Sequence, residues 1–241
     1  MVVIHEVPGI TPHVEGFAGR VWEAGFSVYM PDLFGTPGKA FSLPYAVSEL
    51  ARCCIRREFA VLAGEGSSPI TGWLKALCRR AHEECGGPGV GALGMCMTGN
   101  FALSLMVEPC VMAPVLSQPS LPFGLTRRQR AALHLSPDDL TVVKRRVAEG
   151  CPVLGLRFTH DPRVPKARFD TLKRELGPGF EAIEIDSGPS NAHGIPRIAH
   201  SVLTLDLVDR EGHPTRAALD RVLGFFRERL GAPPQAPPGA G

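Results

Sequence analysis

The sequence lacks any run of apolar residues long enough to cross a membrane. No window approaches 18 uncharged apolar residues, and the N-terminus has no basic region followed by an apolar stretch. We therefore expect neither a signal peptide nor a membrane span. By default, these absences predict a cytoplasmic protein that does not act on a membrane.

The sequence also lacks an excess of either charge. Its 26 Lys and Arg residues nearly balance 24 Asp and Glu residues, which gives a formal net charge of +2. The arginines are scattered along the chain and form no basic tract. A nucleic acid or an anionic membrane surface is therefore not expected as a partner.

Paired cysteines are absent as well. Seven cysteines occur, an odd number, and none shows the CxxC spacing of a zinc site. A disulfide framework is not expected in a chain of this size, so free thiols in a reducing compartment fit best. The seven are Cys53, Cys54, Cys78, Cys85, Cys96, Cys110 and Cys151.

What is present indicates one globular domain. The chain has 241 residues, of which 44% are hydrophobic and 21% charged, and this suffices for one α/β core. We assign that domain to residues 1–230. Residues 231–241 consist of Gly, Ala and Pro with one Gln, a composition typical of a disordered tail.

Short apolar runs alternate with amphipathic stretches along the domain, a pattern that predicts a mostly parallel sheet with helices on both faces. Predicted strands are 2–5, 26–30, 89–93, 111–116, 152–158 and 180–185. Predicted helices are 12–24, 69–85, 100–107, 140–148, 169–176 and 216–230, and 45–62 is a further candidate. Ser136 is predicted to cap the helix that contains residues 140–148.

The segment 94–99, Gly-Met-Cys-Met-Thr-Gly, joins a predicted strand to a predicted helix. A sharp bend of this kind needs small neighbours and holds its central residue in a strained conformation, with the side chain presented above the sheet. Gly94 and Gly99 meet that need, and Cys96 would stand on the bend as a nucleophile. The alternative is that Cys96 is a buried core residue, as free cysteines often are.

Two further groups follow later strands at the same edge of the sheet. Asp161 comes after strand 152–158, and His193 and His200 come after the last strand. The order nucleophile, acid, histidine is that of the α/β-hydrolase triad, in which the histidine takes the proton of the nucleophile and the acid orients the ring. Asp161 in His-Asp-Pro is also compatible with an ordinary turn.

The chain resembles the dienelactone hydrolase family, and the resemblance spreads over residues 4 to about 226. It implies an α/β-hydrolase fold and a cysteine hydrolase with Cys96 as nucleophile, Asp161 as orienting acid and a histidine as base. It also places Glu6 where the family has a glutamate that contacts the thiol. The segments that carry the resemblance are 4–9, 29–34, 94–99, 160–165 and 199–201.

By the same resemblance, the backbone N–H groups of Val7 and Met97 would form the oxyanion hole. His200 lies in Ala-His-Ser, close to the Gly-His-Ser of the family, and is favoured over His193 as the base. His193, nearer to the last strand, remains the alternative.

Several features depart from the family. Thr98 replaces a glycine of the bend, and Thr204 stands where chlorocatechol-pathway enzymes have an arginine that holds the substrate carboxylate. Arg56 or Arg57 is a candidate for a second such contact. The family generally has one or two strands before the segment that opens this chain, so either the sheet edge is shortened here or the true start of the protein lies upstream.

The predicted function is hydrolysis of a small-molecule carboxylic ester or lactone through a thioester at Cys96, without a metal or an organic cofactor. The substrate and the choice between monomer and homodimer stay open. One alternative is a catalytically silent family member that acts as a binding or scaffold protein. Another is a thioesterase or acyltransferase that uses the same triad.

Overall fold

A computed structural model describes residues 1–55, 69–120 and 126–231. Its sheet has five parallel strands whose spatial order is the order of the chain. The first four strands are almost fully buried, as expected where helices cover both faces, whereas the last strand, at the sheet edge, buries only its two end residues. The strands are β1 (Val2–Ile4), β2 (Val90–Met95), β3 (Val111–Ser117), β4 (Val153–Phe158) and β5 (Phe180–Ile185).

Eight α-helices lie within these described ranges, and all but the short α5 were anticipated from the sequence at least in part. They are α1 (Pro12–Glu23), α2 (Leu43–Ile55), α3 (Pro69–Cys85), α4 (Gly99–Leu105), α5 (Arg127–Ala131), α6 (Pro137–Ala148), α7 (Lys166–Leu176) and α8 (Pro214–Leu230). Across the described ranges, no helix is both long and apolar enough to span a bilayer.

The core lies on both sides of the sheet because side chains alternate between the faces of a strand. Val3 of β1 joins a cluster that contains apolar residues of α1 and α8. Val2 and Ile4 join a second cluster with α3 and α4. All three side chains are fully buried, so the first strand is held from both faces.

The predicted strand 26–30 is wrong as a strand. Only Tyr29 pairs with β1, through a single parallel bridge to Val2. The amide of Tyr29 donates to Met1 O at 2.8 Å, and the amide of Val3 donates to Tyr29 O at 2.9 Å. The next bond of a parallel ladder would need an N–H at Pro31, and proline has none, so the pairing stops there.

Helix ends agree well with the sequence signals. Ser136 caps α6 as predicted, because its Oγ accepts a hydrogen bond from the amide of Asp139 at 3.1 Å.

The helix α5 was not predicted from the sequence. It has only five residues and begins with a capping box, in which Thr126 and Gln129 bond each other's backbone amides. The predicted tail beyond residue 231 lies outside the described residues, as does the part of the 45–62 candidate after residue 55.

Candidate active site

Cys96 stands on a sharp bend between β2 and α4. It opens a 3₁₀ turn (Cys96–Thr98), and its φ of 57° lies in the left-handed region that side chains other than glycine rarely adopt. A Cβ on Gly94 would lie 2.2 Å from Thr98 O, and one on Gly99 would lie 2.9 Å from the Cα of Pro119. Both glycines are thus required by close backbone approach, as the sequence pattern indicated.

Thr98 fastens this bend to the end of β1. Its buried hydroxyl accepts a hydrogen bond from the amide of Met95 at 3.0 Å. The same oxygen lies 2.8 Å from Met95 O, 3.0 Å from His5 O and 3.1 Å from Ile4 O, so its single proton is shared among three carbonyls. The residue that departs from the family pattern therefore connects the bend to the strand that leads to Glu6.

Asp161 and His200 form a buried pair at the carboxyl end of the sheet. Asp161 is 3% exposed, and its Oδ2 accepts a hydrogen bond from Nδ1 of His200, which is 7% exposed. The other carboxylate oxygen, Oδ1, accepts from the backbone amide of Arg163 at 3.0 Å and from its Nε at 3.2 Å. With Nδ1 as the donor, Nε2 of His200 is the ring atom left to exchange a proton. Nε2 is buried and has no hydrogen-bond partner within the described residues.

The loop that carries His200 is held by two further contacts. Asp206 Oδ2 accepts hydrogen bonds from the amides of His200 and Ser201, both at 2.8 Å. Arg163 Nη2 donates to Ile198 O at 2.9 Å, so this arginine joins the acid to the histidine loop. The position of the imidazole is therefore fixed from both its backbone and its ring.

The Cys96 sulfur and the imidazole of His200 are close enough for the charge of each group to change the pKa of the other. Burial alone would raise the pKa of the Cys96 thiol. The charge of the nearby His200 ring, together with the Ser120 hydroxyl, outweighs burial, so the thiol pKa falls below its ordinary value. Burial would lower the pKa of His200, but the thiolate and Asp161 raise it. Both shifts favour a thiolate and imidazolium ion pair.

Glu6 lies in the same region but is turned to other partners. Its Oε2 accepts hydrogen bonds from Ser201 Oγ at 2.8 Å and Gln118 Nε2 at 3.1 Å, and its Oε1 accepts from Thr204 Oγ1. The described structure gives it no hydrogen bond to the Cys96 sulfur. Its contribution to Cys96 is that of a nearby negative charge, which raises the thiol pKa.

The remaining residues predicted from the sequence are the alternative histidine, the two oxyanion-hole residues and two arginines. His193 is exposed, and its ring lies edge to face against that of His213, with 5.3 Å between centroids, while Asp161 contacts His200 instead. The two predicted oxyanion-hole residues lie next to residues already described. Val7 directly follows Glu6, and Met97 directly follows Cys96 in the bend that the Thr98 hydroxyl connects to the end of β1.

The two arginine candidates, Arg56 and Arg57, lie outside the described residues. In the part of the chain that is described, no three His, Cys, Asp or Glu side chains are grouped so as to hold a metal ion.

Sequence reasoning missed Ser120, whose Oγ lies 3.2 Å from the Cys96 sulfur. It follows β3, which ends at the same edge of the sheet as the strands that lead to Cys96 and Asp161. Its position after β3 is the sequence feature that could have identified Ser120. That feature is a weak signal, because serine in a proline-rich segment is typical of any surface turn.

Structural comparison shows which known folds this arrangement matches. The chain is similar to a protein from Klebsiella pneumoniae subsp. pneumoniae MGH 78578 that is assigned as a dienelactone hydrolase. The two share 16% identity over 94% of this chain and 85% of that one, with a TM-score of 0.56. An esterase from Pyrococcus furiosus shares 13% identity over 95% of this chain and 83% of its own, with a TM-score of 0.51. These likenesses establish the α/β-hydrolase fold.

No curated protein matches the sequence. The family model for dienelactone hydrolases, in contrast, matches residues 1–230, which is nearly the whole chain. The chain therefore belongs to the dienelactone hydrolase family, a family of carboxylic ester hydrolases.

Proposed function

We propose that this protein hydrolyses a small carboxylic ester or lactone through a thioester formed at Cys96. The observation that carries the proposal is the hydrogen-bonded pair of Asp161 and His200 beside Cys96, whose sulfur stands on a bend of positive φ. In this arrangement the acid fixes the tautomer of the ring, and the ring lowers the pKa of the thiol.

The first half of the reaction acylates the enzyme. The Cys96 thiolate attacks the ester carbonyl carbon, and the carbonyl π electrons move to oxygen to give a tetrahedral intermediate. This intermediate collapses as the carbon–oxygen bond to the leaving group breaks. The departing alkoxide takes the proton from Nε2 of His200, which leaves a neutral imidazole and a thioester.

The second half releases the acid. A water molecule gives a proton to Nε2 of His200 as its oxygen attacks the thioester carbonyl. Collapse of the second tetrahedral intermediate breaks the carbon–sulfur bond, which releases the carboxylic acid and leaves the Cys96 thiolate beside the imidazolium already formed by the proton from water. Asp161 stays ionised throughout, because its pKa lies below its ordinary value: burial, which raises it, is outweighed by the hydrogen bond to His200.

The oxyanion of each intermediate would be bound by the N–H groups of Val7 and Met97. Met97 is the second residue of the 3₁₀ turn, where the first amides lack partners within the helix. Thr98 supports this role, since its hydroxyl holds the turn against the backbone that continues through Glu6 to Val7. Such donors act where charge develops in the transition state.

Glu6 is proposed to organise the histidine loop rather than to take the thiol proton. Its carboxylate is bound by hydroxyls of Ser201 and Thr204, and Ser201 directly follows His200. Thr204 is neutral and its hydroxyl donates to Glu6, so this position offers a substrate carboxylate neither a cation nor a free hydrogen-bond donor. A neutral ester or lactone therefore suits this part of the site better than a carboxylate-bearing dienelactone.

The experiment that tests the proposal is hydrolysis of p-nitrophenyl acetate by the purified protein and by two cysteine variants. Cys96→Ala should abolish release of p-nitrophenol above the uncatalysed rate. Cys85→Ala removes an exposed thiol that contacts Tyr29 rather than the triad, and should retain activity. Turnover by a folded Cys96→Ala protein would overturn the assignment of the nucleophile.

A further inference from the structure

Ser120 pairs with Cys96 through both its side chain and its backbone. Its Oγ lies 3.2 Å from the sulfur, and its amide donates to Cys96 O at 3.0 Å. Ser120 is only 5% exposed, so little water competes for the hydroxyl. Either atom could donate in a neutral pair, but once Cys96 is ionised only the hydroxyl carries a proton, so it donates and the sulfur accepts.

Asn100 holds the segments on either side of this contact. It is 3% exposed, and its Nδ2 donates to Ser120 O at 2.8 Å and to Met97 O at 3.1 Å. Both amide protons are therefore used to join the serine segment to the bend that carries the nucleophile. A hydroxyl held in this way needs no rearrangement to meet the sulfur.

Behind Asn100 lies a buried arginine without a carboxylate partner among the described residues. Arg168 is 1% exposed, and its Nη1 donates to the Asn100 side-chain oxygen and, at 3.2 Å, to Pro119 O. Within the described chain, Nε and Nη2 of Arg168 have no hydrogen-bond partner. Burial lowers the pKa of this guanidinium to about 9.

Burying a cation without a counter-charge reduces the free energy of unfolding, and proteins keep such unfavourable groups mainly at functional sites. Here, the two bonds that Arg168 makes both end on groups adjoining Ser120: Pro119 precedes it, and Asn100 binds its carbonyl. The arginine thus holds the serine segment directly at Pro119 O and indirectly through Asn100.

We propose that Ser120 is a further catalytic residue, whose hydroxyl donates a hydrogen bond to the Cys96 thiolate, and that Asn100 and Arg168 are positioning residues that hold it there. This inference rests on the proposed role of Cys96 as nucleophile. In the free enzyme, the hydroxyl stabilises the thiolate against protonation. In the thioester the sulfur is a weak acceptor, and the bond re-forms as the thiolate leaves, so the same contact assists deacylation.

The test is the pH dependence of alkylation of Cys96 by iodoacetamide, followed at that residue by peptide mass spectrometry. Ser120→Ala should raise the apparent pKa of Cys96 by about one unit, a tenfold loss of thiolate at pH values below the pKa. Ser120→Thr keeps the hydroxyl and should retain most of the wild-type profile, whereas Ser120→Val should resemble the alanine variant. Ser104→Ala, a buried serine of α4, is the matched control and should leave the profile unchanged.

The positioning role is tested by a double-mutant cycle. Arg168→Met should shift the profile in the same direction as Ser120→Ala, but should add nothing in the Ser120→Ala background, because it acts through the serine. If Arg168→Met does not fold, Arg168→Lys keeps the cation and one donor and should give a smaller shift of the same sign. Equal shifts in both backgrounds would overturn the positioning role.

The outcome for Ser120 is separable from that for the nucleophile. An unmoved profile in Ser120→Ala, with Cys96 still titrating below an ordinary thiol, would refute the serine contact alone. A wild-type Cys96 that titrates near the ordinary value of about 8.5, together with turnover by Cys96→Ala, would instead refute the proposed function.

Discussion

Gly94→Ala should disrupt the bend at Cys96 by overpacking. The added Cβ would lie 2.2 Å from Thr98 O, 2.7 Å from Thr98 C and 3.0 Å from the Cα of Gly99. All three are backbone atoms, so no side chain can rotate away. Because ordinary contact begins near 3.4 Å, the backbone must move by about 1.2 Å. Overpacking on this scale destabilises a fold by about 1–3 kcal/mol, and here it also displaces the nucleophile.

The measurement is the free energy of unfolding in urea, together with the rate of p-nitrophenyl acetate hydrolysis. Gly16→Ala is the matched control, because Gly16 lies within α1 and a Cβ there meets nothing within 4 Å. In a helix this substitution should stabilise by about 0.5–1 kcal/mol. The same chemical change should thus have opposite signs at the two sites. A Gly94→Ala protein as stable and active as wild type would refute the close approach at the bend.

Three further predictions concern the same structure. Thr98→Val should reduce the free energy of unfolding by about 1–3 kcal/mol in urea, because the amide of Met95 loses its acceptor; Thr141→Val, at an exposed helix position, is the control. Ser136→Ala should cost about 1 kcal/mol in the same assay through loss of the α6 cap. Asp161→Asn should lower kcat at least about 100-fold. Because the folded-state pKa of Asp161 is lowered, its carboxylate stabilises the fold above its ordinary pKa of about 4, and this contribution is lost as the pH falls through the lowered value. Urea unfolding of Asp161→Asn should therefore show lower stability at pH 7 and a weaker loss below about pH 4, and an unchanged pH dependence would contradict the pairing with His200.

The sequence predicts local features of this fold well, because they depend on residues close together in the chain. The bend at Cys96 follows from glycines two residues before and three after it, which the crossing backbones require. The cap of α6 follows from Ser136 beside two acidic residues. The strands and most helices follow from apolar periodicity. The prediction for residues 26–30 is wrong because periodicity ignores the missing amide of Pro31.

Contacts between distant segments were harder to predict. Arg168 lies on a helix of mixed charge, and nothing in its neighbours indicates that its side chain is buried against Asn100, 68 positions earlier. Ser120 is similar, since its contact with Cys96 depends on how β3 ends beside β2. The resemblance favoured His200 over His193, and the fold places His200 against Asp161. The partners of Glu6 come from segments more than 100 residues away.

The most direct test of the account is to find the acyl group on the enzyme. The wild-type protein is mixed with p-nitrophenyl acetate, quenched in acid within the first turnovers and mapped by peptide mass spectrometry. We predict one acetyl group, carried by Cys96, that appears with the burst of p-nitrophenol and disappears as substrate is exhausted. Steady turnover with Cys96 unmodified, or with the acetyl group on another residue, would contradict the account.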